Sequence, residues 1–407
     1  MTEFAISGAG RLPSYPQHYG AHFKSTTATL VLDSDLINPS AEVLAMPNCP
    51  VTVLNAGAFT ITPQFFGMHA YQRINDGMSG VTVGTVRNQD MEGGKSRWSQ
   101  IEWQDNAFTW GDVDSWVNTH YAAGREIIFL LWGTPAFHSA RSTEVGAYGV
   151  GSLGASAEPA DMTKWTRYCT KVAQRYLGKV KYYEVWNEPN YRNDGVNLPN
   201  PTTPCYFTGT FAKLAEMTRL AAQAVKAVDP TVKIISPSMT DLQPTGADTA
   251  GDFFKALMDT ATGDGSTKTK DWVDIIAIHL YLSRKNSVQE LPAMIDRFKA
   301  NMVTAGVSSK ELWDTESAPI GPAVPLITDP LAGQLMARHL ITCAAKGVAR
   351  TIYYQWDRVD MGYKHSPGIN QLREYAVSLL SSGTCDGATM LTDGRVILKC
   401  SAGQIVL

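Results

Sequence analysis

The sequence predicts an α/β fold, a (β/α)8 TIM barrel, with a small β-subdomain drawn from its N- and C-terminal segments. Three observations carry that expectation. Eight short apolar runs recur along the chain, their hydrophobicity is continuous rather than alternating, and amphipathic helical stretches separate them. Continuous runs suit strands buried on both faces of a parallel sheet. Eight such strands alternating with helices over about 300 residues favour a closed barrel, with a doubly wound open sheet as the runner-up.

In chain order the runs are 61–68, 81–86, 126–132, 180–187, 232–236, 274–280, 311–316 and 350–356. The first crossover, 69–80, has room for only one or two helical turns. Trp165, Tyr168, Cys169, Val172 and Tyr176 recur at helical spacing, as do Phe211, Leu214, Ala215, Thr218, Ala221, Ala222, Val225 and Val228. Asp229-Pro230 stops the second of these helices, because the residue before proline is driven out of the helical region. Leu291–Ala305 and Leu331–Ala345 read as two more helices. Residues 61–383 are therefore assigned to the barrel, 1–60 to an N-terminal β extension, and 384–407 to strands joining it. Leu30-Val31-Leu32, Val51–Leu54 and Val396–Leu398 supply the short strands, with turns at Asp393-Gly394 and Ala402-Gly403.

Composition narrows the class of function. A net charge of −3 argues against a nucleic-acid partner, and no run of about 18 apolar residues could span a membrane. The N-terminus shows neither a basic n-region nor an apolar h-region, so secretion or a periplasmic location would require a signal already removed. The eight histidines contain no HExxH pair and the six cysteines no CxxC spacing, so neither a metal nor any other cofactor is expected. Cys385 and Cys400 flank a hairpin-like stretch and can pair in an oxidising compartment, while Cys169 and Cys343 fall on helices as buried thiols. Gly149–Gly154 (GVGSLG) matches a dinucleotide fingerprint in letters only, since it follows a polar loop rather than a strand. Residues 133–160 are read instead as a wall or lid over the cleft.

In a (β/α)8 barrel chemistry gathers at the C-terminal ends of the strands. The last residues of the eight runs are His69, Arg87 with Asn88, Trp132, Asn187 with Glu188, Ser236 with Ser238, His279 with Tyr281, Glu316, and Trp356 with Asp357. Two of these ends stand out. In Tyr182–Asn190 (YYEVWNEPN) an aromatic and β-branched run stops at Asn187-Glu188-Pro189, and in Glu311–Pro319 (ELWDTESAP) a shorter run stops at Glu316. Proline cannot extend the ladder, so each run delivers a carboxylate to a strand tip. Paired carboxylates at strand ends suit acid/base and nucleophilic work on a glycosidic bond.

Those residues resemble the retaining glycoside hydrolases of clan A, and within them glycoside hydrolase family 39. YYEVWNEPNY, VDPTVKIISPS, DWVDIIAIHLY and KELWDTE carry the likeness over roughly residues 61–360, and they look closest to the family's bacterial exopolysaccharide endo-glycosidases. The resemblance implies Glu188 as general acid/base and Glu316 as nucleophile. Asn187 can donate to a sugar 2-hydroxyl, and the guanidinium of Arg87 suits holding Glu316 ionised. His279 and Tyr281 alternate along a strand, so both can face the site only if the later one lies beyond the strand end. One of them would then orient the nucleophile and the other contact sugar. Trp356 is a candidate floor for the sugar, with His69 and Trp132 as further contacts. The expected function is retaining, endo-acting hydrolysis of a β-linked polysaccharide or oligosaccharide. An exo-acting β-glycosidase of xylosidase type and a catalytically silent sugar-binding barrel are the alternatives. Ser317-Ala318-Pro319 departs from the xylosidase pattern after the nucleophile, which weakens any transfer of xylose specificity. Oligomeric state has no signature in the sequence.

Overall fold

The computed structural model describes residues 4–6, 21–24, 28–32, 51–55, 57–70, 78, 81–89, 91, 94–191, 205–240, 242–281, 288–318, 331–356, 376–378, 380–381, 384–391, 395–400 and 403–406. Asp357 and most of the first crossover lie outside them. Eight parallel strands close into a barrel: β1 (Phe66–His69), β2 (Thr85–Arg87), β3 (Glu126–Leu131), β4 (Tyr182–Val185), β5 (Lys233–Ile235), β6 (Ile275–Ile278), β7 (Glu311–Ser317) and β8 (Arg350–Tyr353). Thr351 opposite Phe66 joins β8 to β1, and Tyr182 opposite Ile128 joins β4 to β3, so the ring has no free edge. The expected barrel is the observed fold.

The strands are shorter than their apolar runs. Residues 63–65 form a 3-10 turn begun by Pro63, which has no N–H to give a ladder, and β1 starts only at Phe66. Gly84 approaches the carbonyl of Pro63 so closely that a Cβ there would stand 2.2 Å from its oxygen. The run 180–187 is strand only to Val185, for a reason that belongs to the site below.

Among the described residues, six helices longer than one turn cover the outside: α1 (Gly111–Ala122), α2 (Met162–Arg175), α3 (Phe211–Val228), α4 (Thr249–Asp259), α5 (Leu291–Thr304) and α6 (Leu331–Ala345). Their starts are chemically marked. Asp161 accepts from the Thr163 amide at 2.9 Å before α2, Thr210 from Lys213 at 3.3 Å before α3, and Asp248 from Gly251 at 3.2 Å before α4. The main core lies between strands and helices. A second apolar cluster of Ile128, Ile235, Ile275, Ala277, Trp313 and Ile352 comes from five strands. Ile275 and Ala277 sit two apart, so they share one strand face, which in a closed barrel is the lumen.

Strands at 51–55, 385–391, 396–400 and 403–406 form an antiparallel sheet, while Phe4–Ile6, Ala28–Leu32 and Ala21–Lys24 form a separate three-stranded one. Cys385 and Cys400 lie opposite each other in register and are disulfide-bonded. Asn55 ties its sheet to the barrel by donating to the Ala345 carbonyl at the end of α6 (3.1 Å). Cys169 and Cys343 are buried thiols on α2 and α6. Among the described residues no helix is long and apolar enough to cross a membrane.

Candidate active site

The strand β4 ends at Val185 because the next residue leaves extended geometry. Trp186 has φ 65° and Glu188 φ 43°, both in the left-handed region that bulky side chains avoid. Such conformations persist only where their surroundings impose them. Trp186 is fully buried, its indole N–H donates to the Tyr206 carbonyl at 2.8 Å, and its ring meets Phe207 and Trp165. Asn190 anchors the far side of the turn, donating to Thr240 O (2.7 Å) and accepting from its amide (3.0 Å). This frame thrusts Glu188 into the mouth of the barrel.

Glu316, the penultimate residue of β7, meets it there. One oxygen of Glu188, one of Glu316 and a ring nitrogen of His279 all lie within 4.8 Å of one another. Both carboxylates keep a little solvent contact, 8% and 7% exposed, as groups that must meet a ligand should. Their partners differ. Glu316 accepts from Arg87 Nη1 at 2.8 Å and from the Tyr281 hydroxyl at 2.9 Å. Glu188 Oε1 lies 2.7 Å from His279 Nδ1. The strand β6 stops at Ile278, so His279 and Tyr281 both lie beyond it and both reach the site.

Arg87 is the hub. It is fully buried at the end of β2, donating Nε and Nη2 to the two oxygens of Glu184, each at 2.7 Å, and Nη2 also to Asn187 Oδ1 at 2.9 Å. Gln89 accepts from Nη1 as well. Burial alone would lower the guanidinium's pKa, but Glu184, then Glu316, hold it above its ordinary value. The same field acts on the neighbours. Burial disfavours a charged His279, yet Glu316 and Glu188 raise its pKa above that of a free imidazole. Burial, then Glu316, pushes the Tyr281 hydroxyl well above its usual range, so it stays a donor. His69 goes the other way: burial, then Arg87, keeps it neutral well below the ordinary value.

His69 bonds to the Thr315 carbonyl (3.1 Å), so it touches the residue before Glu316 rather than its carboxylate. Its ring stands edge-on to Tyr354, which in turn meets Tyr281. Trp356 is buried, its amide donating to the His69 carbonyl at 2.9 Å. Trp132 packs against Tyr148 and Tyr206. Asn187 uses its oxygen on Arg87, while its Nδ2 is buried without a protein partner. The GVGSLG stretch holds only a 3-10 turn at Val150–Ser152, inside the loop after β3.

Glu184 and Gln89 are site residues that the strand-end reading missed. Glu184 had a signal: a carboxylate inside a buried strand needs a cation facing it. Gln89 had none, since it follows the end of β2 in an irregular stretch.

No protein-family model matches the sequence, and no curated protein matches it. Solved structures do share the fold. A glucosidase from Croceicoccus marinus is 16% identical, with a TM-score of 0.56 over 87% of this chain and 76% of that one. A GH39 β-xylosidase from Caulobacter crescentus is 15% identical, with a TM-score of 0.56 over 86% of this chain and 79% of its own. Xylanase 10B from Thermotoga petrophila, solved with xylobiose, is 13% identical, with a TM-score of 0.52 over 79% and 94%. At these identities the likeness is one of fold.

Proposed function

We propose that the chain is a retaining glycoside hydrolase acting on β-linked oligo- or polysaccharides. The observation that carries this is the placing of Glu188 and Glu316 at the barrel mouth, with oxygens of both inside one 4.8 Å cluster. Retaining enzymes hold their two carboxyls about 5–5.5 Å apart, whereas inverting ones leave about 6.5–9.5 Å for a water between them. Glucosidases and xylanases among the fold's neighbours make β-glucans and β-xylans the first substrates to try.

The different partners suggest the division of labour. Glu316 faces two donors, Arg87 and Tyr281, which favour its anionic form as nucleophile. Glu188 has the imidazole of His279, which fixes one carboxyl oxygen and leaves the other for the glycosidic oxygen. In the first step Glu316 bonds to the anomeric carbon as the bond to the leaving oxygen breaks, and Glu188 passes its proton to that oxygen. In the second, Glu188 takes a proton from water as its oxygen bonds to the anomeric carbon on the face the leaving group left, and the ester bond to Glu316 on the opposite face breaks to free its carboxylate. In this reading Asn187 Nδ2, buried without a protein partner, donates to a 2-hydroxyl, and Tyr281, already bonded to Glu316, steadies it as its charge is consumed and restored. Internal cleavage is the preferred mode.

Release of reducing ends from a panel of β-glucans, β-xylans and bacterial exopolysaccharides, measured beside Glu316→Gln, tests the reading. Cleavage by the wild type alone, with the anomer retained in NMR of the first product, is expected. Binding without cleavage would leave a sugar-binding barrel, and inverted product would remove the covalent step.

A further inference from the structure

The segment 133–160, between β3 and α2, is fastened by charges of its own. Arg141 donates to Glu144 at 2.9 Å, to Glu158 at 2.8 Å and to the Thr208 hydroxyl at 2.7 Å. Thr208 donates in turn to Glu144 at 2.5 Å. A loop held by such a network behaves as a wall rather than a lid. Yet it carries Phe137, Val145, Tyr148 and Leu153 at 50%, 41%, 38% and 39% exposure. Single exposed apolar side chains mean little, but a group of them on one fixed loop marks a contact surface.

Tyr148 is the built part of that surface. The guanidinium of Arg97 lies 3.7 Å from its ring centroid and 5.1 Å from that of Trp132. The slot for this arginine depends on two glycines. A Cβ on Gly94 would stand 2.5 Å from its guanidinium carbon, and one on Gly133 would stand 3.2 Å from its Cβ. Both glycines have positive φ, 95° and 81°. A buried cation under the ring fixes its orientation and enriches its role as a flat, rigid contact. The rings then follow one another, Tyr148 edge-on to Tyr206 at 5.9 Å and 69°, and Tyr206 tilted against Tyr191 at 5.7 Å and 51°. Tyr191 donates its amide to the Glu188 carbonyl at 3.0 Å, so the row ends in the turn that carries the acid.

We propose that Tyr148, Tyr206 and Tyr191 form a saccharide platform on the leaving-group side of the cleft. It would take the sugar units beyond the cleaved bond of a β-linked chain. The assignment rests on the glycoside hydrolase reading, because it is Glu188 that protonates the leaving oxygen. Glu188 lies just past the end of β4 and Glu316 on β7 across the barrel, so the sugar departing past Glu188 moves toward the loop that follows β3 and the turn that follows β4. Aromatic faces there stack on pyranose faces, and a platform of several rings suits a leaving group of several units. The row of rings thus favours internal cleavage over trimming of single sugars.

The test is calorimetric binding of β-1,4-xylo- and β-1,4-gluco-oligosaccharides, one to six units long, to Glu316→Gln, alone and combined with Tyr148→Ala or Tyr148→Phe. Affinity is expected to rise with length in one series. Tyr148→Ala should weaken the longest member about tenfold and flatten the length dependence, whereas Tyr148→Phe should keep it. A length dependence untouched by Tyr148→Ala overturns the platform, as does the absence of binding to either series. A wild-type chain that binds long members but cleaves none removes the hydrolase reading, and the same affinities still decide the platform.

Discussion

The barrel holds a buried arginine at each end, and the two are balanced differently. At the N-terminal end Arg350 stacks over Trp313 and Tyr182, at 4.0 and 4.6 Å from their centroids. It donates to the Thr85 hydroxyl at 2.8 Å and pairs with Glu126. One cation meets one carboxylate. At the C-terminal end Arg87 pairs with Glu184 and Glu316 and feels Glu188 as well, so three carboxylates gather around one guanidinium. Burying unbalanced charge is costly, and a fold selected only for stability would neutralise it. The comparison teaches that a buried ion pair is no sign of function, whereas several coupled titratable groups gathered at the strand tips are.

The strongest way to break this contrast is at Glu316. Glu316→Gln should lower turnover at least about 10⁴-fold, with a melting temperature equal to or above wild type because one crowded charge is gone. A variant that loses stability along with activity would make Glu316 a structural carboxylate like Glu126. Next comes Glu188→Ala, expected to cost roughly 10³-fold on a natural chain and far less on an aryl glycoside with a good leaving group. Equal losses on both would take the acid role from Glu188. At the opposite end Arg350→Met should cost about 3 kcal/mol in chemical denaturation, from leaving Glu126 without its cation, while kcat changes less than about twofold. A large kcat effect there would mean the two ends are not separate in function.

The smallest effect concerns pH. The His279 pKa is raised in the folded state, against burial, by Glu316 and Glu188. The sign follows: its stabilising contribution is complete below about pH 6.5, the unfolded value, and disappears as pH climbs through the folded one. The stability difference between wild type and His279→Gln should therefore shrink on the alkaline side of about pH 6.5. The Arg350→Met difference over the same range serves as the reference, and it should not follow the His279→Gln curve. Denaturation midpoints measured from pH 6 to 9 distinguish the two, and parallel curves would contradict the assignment.

Much of this was legible in the residues. Eight runs of continuous hydrophobicity located eight strands because a buried parallel strand must be apolar on both faces. Glu188 and Glu316 stood out because each ends such a run with a proline one to three residues after it. The helix α1 was less visible: His120 occupies a position on its buried face, beside Val113, Trp116 and Val117, where an apolar side chain would have shown the period. Conformation was the least visible. Nothing local in Trp186 calls for a left-handed backbone, which is imposed by Tyr206, Phe207 and Trp165 from distant parts of the chain. Glu184 shows the same limit, for its meaning depends on Arg87 coming from another strand.

The most direct measurement is to trap the glycosyl-enzyme. Incubation with 2-deoxy-2-fluoro glycosyl fluorides of β-xylo- and β-gluco-configured sugars, followed by peptide mass mapping, should place one fluoro-sugar on the carboxylate of Glu316, with none on Glu316→Gln. An adduct on Glu188 or Glu184, or steady turnover with no adduct on any carboxylate, would contradict the account.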